Sequence, residues 1–247
     1  MASKIIVDQL EKTGGALTAL TLPTSNASAS EFLQNNGSGV LSWASASAGF
    51  AGIHTDVSSG SEVYTVPTSI TKLLVIITGG GGGGANGSVA VENGTGGGAA
   101  GTVIASVTVV ATDTITIAIG AGGSAGSAGG NSTFTHASGS GSFDTITAPG
   151  GVVGVLGSSP AVPTAPTVGA SNDGIAIKGG WPGLWVANGE YGGDSFWGGG
   201  GMSPYLNNTA GKSADAFGAG GSGGDHGAST STAGSGAVGV CLIMEFK

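Results

Sequence analysis

The chain has 247 residues, of which 53 are glycine and only 8 % are charged, and its formal net charge is −8. A positive mean hydropathy excludes the usual disordered composition, which is poor in apolar residues and dense in charge. Glycine without a strict every-third-residue period excludes collagen. The six Lys and Arg are scattered, so no cationic cluster exists to displace counterions from nucleic acid or to hold an anionic membrane surface.

Residues 1–56 have modest glycine and short apolar patches; from 57 onward β-like runs alternate with glycine clusters. In the first region Ile5 to Val7 and Leu17 to Leu22 read as short strands, the second ending at Pro23. A helical turn is expected over Ser30 to Gln34 with Ser30 as its cap. Asn36-Gly37-Ser38-Gly39 is a turn before Val40-Leu41-Ser42-Trp43. So small a region buries proportionally little surface. Leu20, Leu22, Leu33, Leu41 and Trp43 are therefore expected to pack against symmetry mates, as an oligomerisation and attachment segment. The N-terminus has no hydrophobic signal core, because Asp8 follows directly on Ile5, Ile6 and Val7, and no apolar stretch reaches the roughly 20 residues that span a bilayer. Synthesis in a cytoplasm, without membrane insertion, is the expectation.

In the second region Glu62 to Val66 alternates and stops at Pro67, and Lys72 to Thr78 is apolar on both faces, which suits a central buried strand. Thr102 to Val110 and Thr114 to Ile119 flank the link Ala111-Thr112-Asp113 and read as a hairpin. Ile115, Ile117 and Ile119 share one face of the latter strand, with Thr114 and Thr116 on the other. The final run, Val238 to Phe246, is expected to close the sheet begun by Lys72 to Thr78. It contains Cys241, the single cysteine, which excludes an intrachain disulfide framework and reads as a buried structural thiol.

Glycine clusters at 79–84, 96–98, 198–201 and 218–221 separate these runs. A glycine in regular structure costs about 0.5–1 kcal/mol relative to alanine, so dozens of them rival a typical net stability of about 5–15 kcal/mol. Two readings stand open: a lattice of polyproline II-type strands whose missing side chains let backbones hydrogen-bond sideways, or flexible loops. The fold class expected is all-β, an oligomeric N-terminal segment (1–56) followed by a glycine-rich, sandwich-like distal domain (57–247).

The stretches VYTVPTSITKLLVIITGGGGGG, GTGGGAAGTVIASVTV, TITIAIGAGGSAGSAGGNSTF, ITAPGG, FWGGGG, FGAGGSGG and GSGAVGVCLIMEF follow one another from 63 to 246. In that order they resemble the glycine-rich domain of phage tail-fibre and adhesin proteins. ALTALTLPTSNASASEFLQNNGSGVLSWAS is similar to a short module recurrent in phage fibres. The resemblance implies a homotrimeric virion appendage, partnered by tail or baseplate proteins and binding a host glycan or outer-membrane protein. Similar domains decorate tails, baseplates or heads; the lack of a long shaft here favours a short tail appendage.

Catalytic and metal motifs are sparse. Gly-x-Gly-x-x-Gly patterns arise from composition alone, and Gly211-Lys212-Ser213 lacks the upstream glycine of a phosphate loop. His54, His136 and His226 have no metal-ligand spacing, and Glu190 with Asp194 reads as a solvated pair rather than a glycosidase dyad. Neither enzyme activity, cofactor nor metal is expected. The concentrated signal is aromatic: Trp181, Trp185, Tyr191, Phe196, Trp197 and Tyr205 fall in one glycine-rich stretch, with Asn188, Asp194, Asn207 and Asn208 among them. Such rings suit sugar faces and interface hot spots, and equally suit filling a core that glycine leaves open.

Overall fold

The computed structural model describes residues 9–10, 20–28, 31–35, 38, 40–45, 49–88, 94–157, 162–183, 191–203, 209–225 and 230–247. Within them the chain is all-β, and no helix is long and apolar enough to cross a membrane. Two compact units are present, Met1–Gly49 with Lys247 and Phe50–Phe246.

In the first unit β1 (Gln9–Leu10) pairs with β2 (Leu20–Thr21), and β3 (Glu31–Asn35) pairs antiparallel with β4 (Leu41–Ser45). Where the helical turn was expected, Glu31 to Gln34 are therefore strand; Ser30, its expected cap, lies outside the described residues. Cross-strand pairs such as Leu33 opposite Trp43 stabilise an extended backbone and override a weak local capping preference. Leu22, Leu41 and Trp43 are half-buried and Leu33 is exposed; Ile5 to Val7 and the Leu20 side chain lie outside the described residues. Trp43 donates its indole N–H to the Ser25 carbonyl at 2.7 Å. No described side chain of this unit is buried.

The second unit contains β5 (Phe50–Asp56), β6 (Gly60–Thr65), β7 (Lys72–Thr78), β8 (Thr102–Thr108), β9 (Thr114–Ile119), β10 (Ser132–Ser138), β11 (Ile146–Ala148), β12 (Asp173–Ile177) and β13 (Val240–Phe246). They form an antiparallel five-stranded sheet, β12-β8-β7-β13-β5, and a four-stranded sheet, β11-β10-β9-β6. The unit runs from Phe50, where β5 pairs along β13 from Cys241 to Phe246. Ile115, Ile117, Ile119, Phe134 and Ile146 of one sheet meet Leu73, Val75, Ile77, Val103 and Ile243 of the other, all with at most 4 % exposure. Closure of the sheet by the final strand and burial of Cys241 are both observed.

Two expectations change. β8 and β9 form no hairpin: β8 pairs with β7 and β12, β9 with β6 and β10. Their link is a corner between sheets, where Asp113 N–H donates to the Val110 carbonyl and Thr112 N–H to that of Val66. β7 is central in its sheet but buried on one face alone. Its other face, with Leu74 and Ile76, is half-buried and looks outward.

The glycine runs form an ordered lattice. Peptide N–H groups of Gly79, Gly82 and Ala85 donate to carbonyls of Gly101, Gly98 and Thr95. Those of Gly80 and Gly83 donate to Gly130 and Ser127, and those of Gly81, Gly84 and Gly87 to Ala237, Gly234 and Ser231. Carbonyls along the same segment accept in the same rhythm from Gly151 and Gly154, Gly123 and Gly126, and Gly221 and Gly224. A bonding direction that returns every third residue is that of a polyproline II-type helix, which bonds only sideways. Segment 79–87 thus has six neighbours. Glycine is obligatory at its centre: a methyl on Gly81 would land on the Ala219 carbonyl oxygen, and one on Gly82 on that of Val152.

β7, β9, β11 and β12 run directly into lattice segments, and β8, β10 and β13 emerge from them. The lattice is therefore continuous with one end of the sandwich.

Candidate functional site

On a peripheral lattice helix two of three faces are bonded to neighbours, so side chains recur outward at a spacing of three. Segments 178–183, 191–194, 199–203 and 211–214 are such edges. Gly183 N–H donates to the Tyr191 carbonyl, Gly180 to Asp194 and Gly192 to Gly201, at 2.9–3.0 Å. The spacing of three then sets out Lys178 with Trp181, Tyr191 with Asp194, Gly199 with Met202, and Lys212 with Asp215.

These residues shape two adjoining hollows. One, of about 370 Å³, is lined by Trp181, Gly183, Tyr191, Gly192, Asp194 and the 199–202 segment. The second, of about 320 Å³, lies between the 199–202 segment and Lys212, Ser213 and Asp215. Trp181 is 54 % and Met202 64 % exposed, and Tyr191 is half-buried. The Asp194 carboxylate accepts from the Gly200 amide at 2.9 Å, which fixes the floor between them. An aromatic wall, a thioether and carboxylates of opposite charge to Lys212 make a surface suited to a ligand with both an apolar face and hydroxyl groups.

The remaining aromatics are elsewhere. Trp197 is held in the turn where Ser195 and Gly198 pair, at the junction of lattice and sandwich. Its indole N–H donates to Thr78 Oγ1 at 2.8 Å, and edge-on contacts join it to Phe196 and Phe217. Phe196 is 48 % exposed. Trp185, Asn188, Glu190, Tyr205, Asn207, Asn208 and His226 lie outside the described residues. Met202, Lys212 and Asp215 were not signalled by composition; the spacing of three is the pattern that brings them to the site.

Other polar groups are absorbed structurally. Lys212 N–H donates to Ser222 Oγ at 2.7 Å and Gly211 N–H to the Thr232 carbonyl, so this stretch is a lattice edge and not a phosphate loop. His54 pairs with Glu62 at 2.6 Å, and Tyr64 donates to Glu245 at 2.7 Å. Asp113, 1 % exposed, accepts from the amides of Val110 and Gly141 and lies 3.6 Å from His136. Among the described residues no group of three His, Cys, Asp or Glu could hold a metal ion.

No curated protein matches the chain. A family model described as a glycine-rich domain matches residues 55–244, the span from the end of β5 into β13 that builds both the sandwich and the lattice. The chain belongs to this glycine-rich domain family.

Proposed function

We propose that this protein is a homo-oligomeric bacteriophage tail fibre or adhesin, a non-enzymatic virion protein that attaches to a host-surface polysaccharide or outer-membrane protein. It is made in the host cytoplasm and carried on the tail. Residues 1–56 anchor it to tail or baseplate proteins and to its own copies, and the distal domain faces the host. The observation that carries this reading is the edge of the lattice, where Trp181, Tyr191 and Met202 stand over backbone that cannot move aside. Such preorganisation lowers the entropy lost on binding. Several weak sites on one oligomer then gain avidity without new contacts.

The test is adsorption of purified protein to host cells or a glycan array. Trp181→Ala with Tyr191→Ala is expected to abolish binding while leaving the unfolding transition intact. Unchanged adsorption would remove the site.

A second reading, a purely structural virion protein such as a head fibre or baseplate component, is favoured by Trp197, whose indole is committed to Thr78. Gold labelling of the particle separates the two: density on the capsid would exclude the tail reading.

A further inference from the structure

The outer face of the five-stranded sheet carries a broad apolar patch. Strand registers align Ile175, Ile104, Ile76 and Leu242 across four strands. One pleat along, Leu74, Met244 and Ile53 follow, the row ending in Ser106 and Asp173 on β8 and β12. Phe246 and Phe50 then close the face, ring against ring at 6.1 Å. Ile53 is 58 % exposed, Phe50 59 % and Ile175 63 %. A sheet that faces water normally alternates apolar-in with polar-out, and here β13 presents Leu242, Met244 and Phe246 outward, flanked by Leu74, Ile76, Ile53 and Phe50, with Ser106, Thr108 and Thr55 among the polar positions around them.

We propose that this face docks onto the same face of a second copy of the chain. Charge selects that occupant. The chain has a net charge of −8, so copies repel over most of their surface. Among the outward positions of this sheet, however, only Lys72 and Asp173 are charged, and they cancel. A lipid surface would need a cationic rim, and Lys72 is the one cation of the face; a glycan would need polar side chains among the rings of Phe50 and Phe246, whereas Ser106, Thr108 and Asp173 stand on β8 and β12.

Size agrees as well. Four inter-strand spacings by about seven residues give a plane on the order of 20 × 24 Å. Two such planes bury on the order of 1,000 Å² together, the threshold of a specific interface. Pleated aliphatic faces of equal pitch pack at about 10 Å, as in a sandwich. The inference rests on the homo-oligomeric part of the proposed function and is independent of host attachment.

Two measurements on the full chain test it. The first is the rate at which a maleimide labels Ile53→Cys, with Val63→Cys, on β6 of the other sheet and 66 % exposed, as the reference. At high chain concentration the thiol at 53 is expected to react at least roughly tenfold more slowly, and the difference should vanish on dilution. Equal rates, or protection that persists on dilution, would overturn the proposal.

The second is mass by sedimentation. Ile53→Lys with Ile175→Lys should weaken association by roughly tenfold or more. An assembly dispersed by Leu33→Lys but indifferent to the sheet-face pair would overturn this interface and leave the homo-oligomer standing. A wild-type chain that sediments as a monomer at every concentration would overturn both.

Discussion

The indole N–H of Trp197 reaches the hydroxyl of Thr78 at 2.8 Å, and that hydroxyl also bonds Thr102 Oγ1 at 2.8 Å. Thr78 is the last residue of β7, and its carbonyl accepts from Ser132 Oγ of the opposite sheet at 2.8 Å. Ser132 Oγ in turn accepts from the Gly120 amide at 2.9 Å. A buried chain of hydroxyls thus ties both sheets together where they give way to the lattice. Thr78→Val is expected to cost about 2–3 kcal/mol, since it strips partners from buried donors, and Trp197→Phe about 1–2 kcal/mol. In a urea-denaturation cycle the two losses should be strongly sub-additive; simple additivity would show that the indole and the hydroxyl act separately.

Glycine tolerance should divide by position in the lattice. A methyl at Gly81 meets the Ala219 carbonyl oxygen, and no flexible side chain stands there to yield. Gly81→Ala is therefore expected to cost more than about 4 kcal/mol, which marks a core failure, and the folded yield should collapse. At Gly199 the nearest atom to an added methyl is Asp194 Oδ1 at 3.6 Å, an ordinary contact. Gly199→Ala should stay within about 0.5 kcal/mol of the parent. Equal sensitivity at both positions, read from thermal midpoints, would mean that the packing of segment 79–87 is not what holds the unit together.

This division shows how far the chain was legible without coordinates. Ile115, Ile117 and Ile119 announce a half-buried strand because strand periodicity is two and one face is wet or threonine-lined. The link from Val109 to Asp113 is short enough for a hairpin and for a corner alike, and both flanking strands alternate in the same way, so local pattern could not choose. Trp181 and Tyr191 fall together through simple proximity. Met202, Lys212 and Asp215 join them only through a helix of three residues per turn, a period that scans tuned to 2 and 3.6 do not detect. The apolar outward face of β7 was legible as hydrophobic but assigned to a core, because a sequence does not show how many layers cover a sheet.

Thr112 is the one described non-glycine residue with positive φ, 69°. A β-branched side chain in the left-handed region is disfavoured by roughly 1–2 kcal/mol, yet its N–H bond to Val66 at 3.0 Å holds the corner between the sheets. Its side chain is exposed. Thr112→Asn or Thr112→Gly should keep the bond, relieve the strain and raise stability by about 0.5–1 kcal/mol in denaturant titrations. A loss of stability would show that the hydroxyl contributes to the corner.

Asp113, beside it, should shape the acid limb of the stability curve. Burial alone would raise its pKa, but the amides of Val110 and Gly141 and the neighbouring His136 hold it below the usual carboxylate value. A carboxyl whose folded pKa is depressed stabilises the fold fully above its unfolded pKa of about 3.9, and that contribution is lost as pH falls through the folded value. Asp113→Asn should therefore destabilise at neutral pH and flatten the fall in stability below about pH 4. An acid limb identical in both proteins would assign it to other carboxylates.

Cys241 provides the matching test of the core. Its thiol is 1 % exposed in β13, and burial, reinforced by the negative charges of Asp56 and Glu62, pushes its pKa far above the ordinary thiol range. The thiolate is the reactive species, so the native chain should resist a thiol reagent at pH 8 and take up one equivalent only on unfolding. The raised pKa also means that this contribution to stability is complete below the unfolded thiol pKa of about 8.5 and declines as pH rises above it. Cys241→Ala should remove that part of the alkaline decline and cost about 1 kcal/mol for the lost packing. Rapid labelling of the folded protein at pH 8 would place the β13 face in contact with solvent and contradict the sandwich.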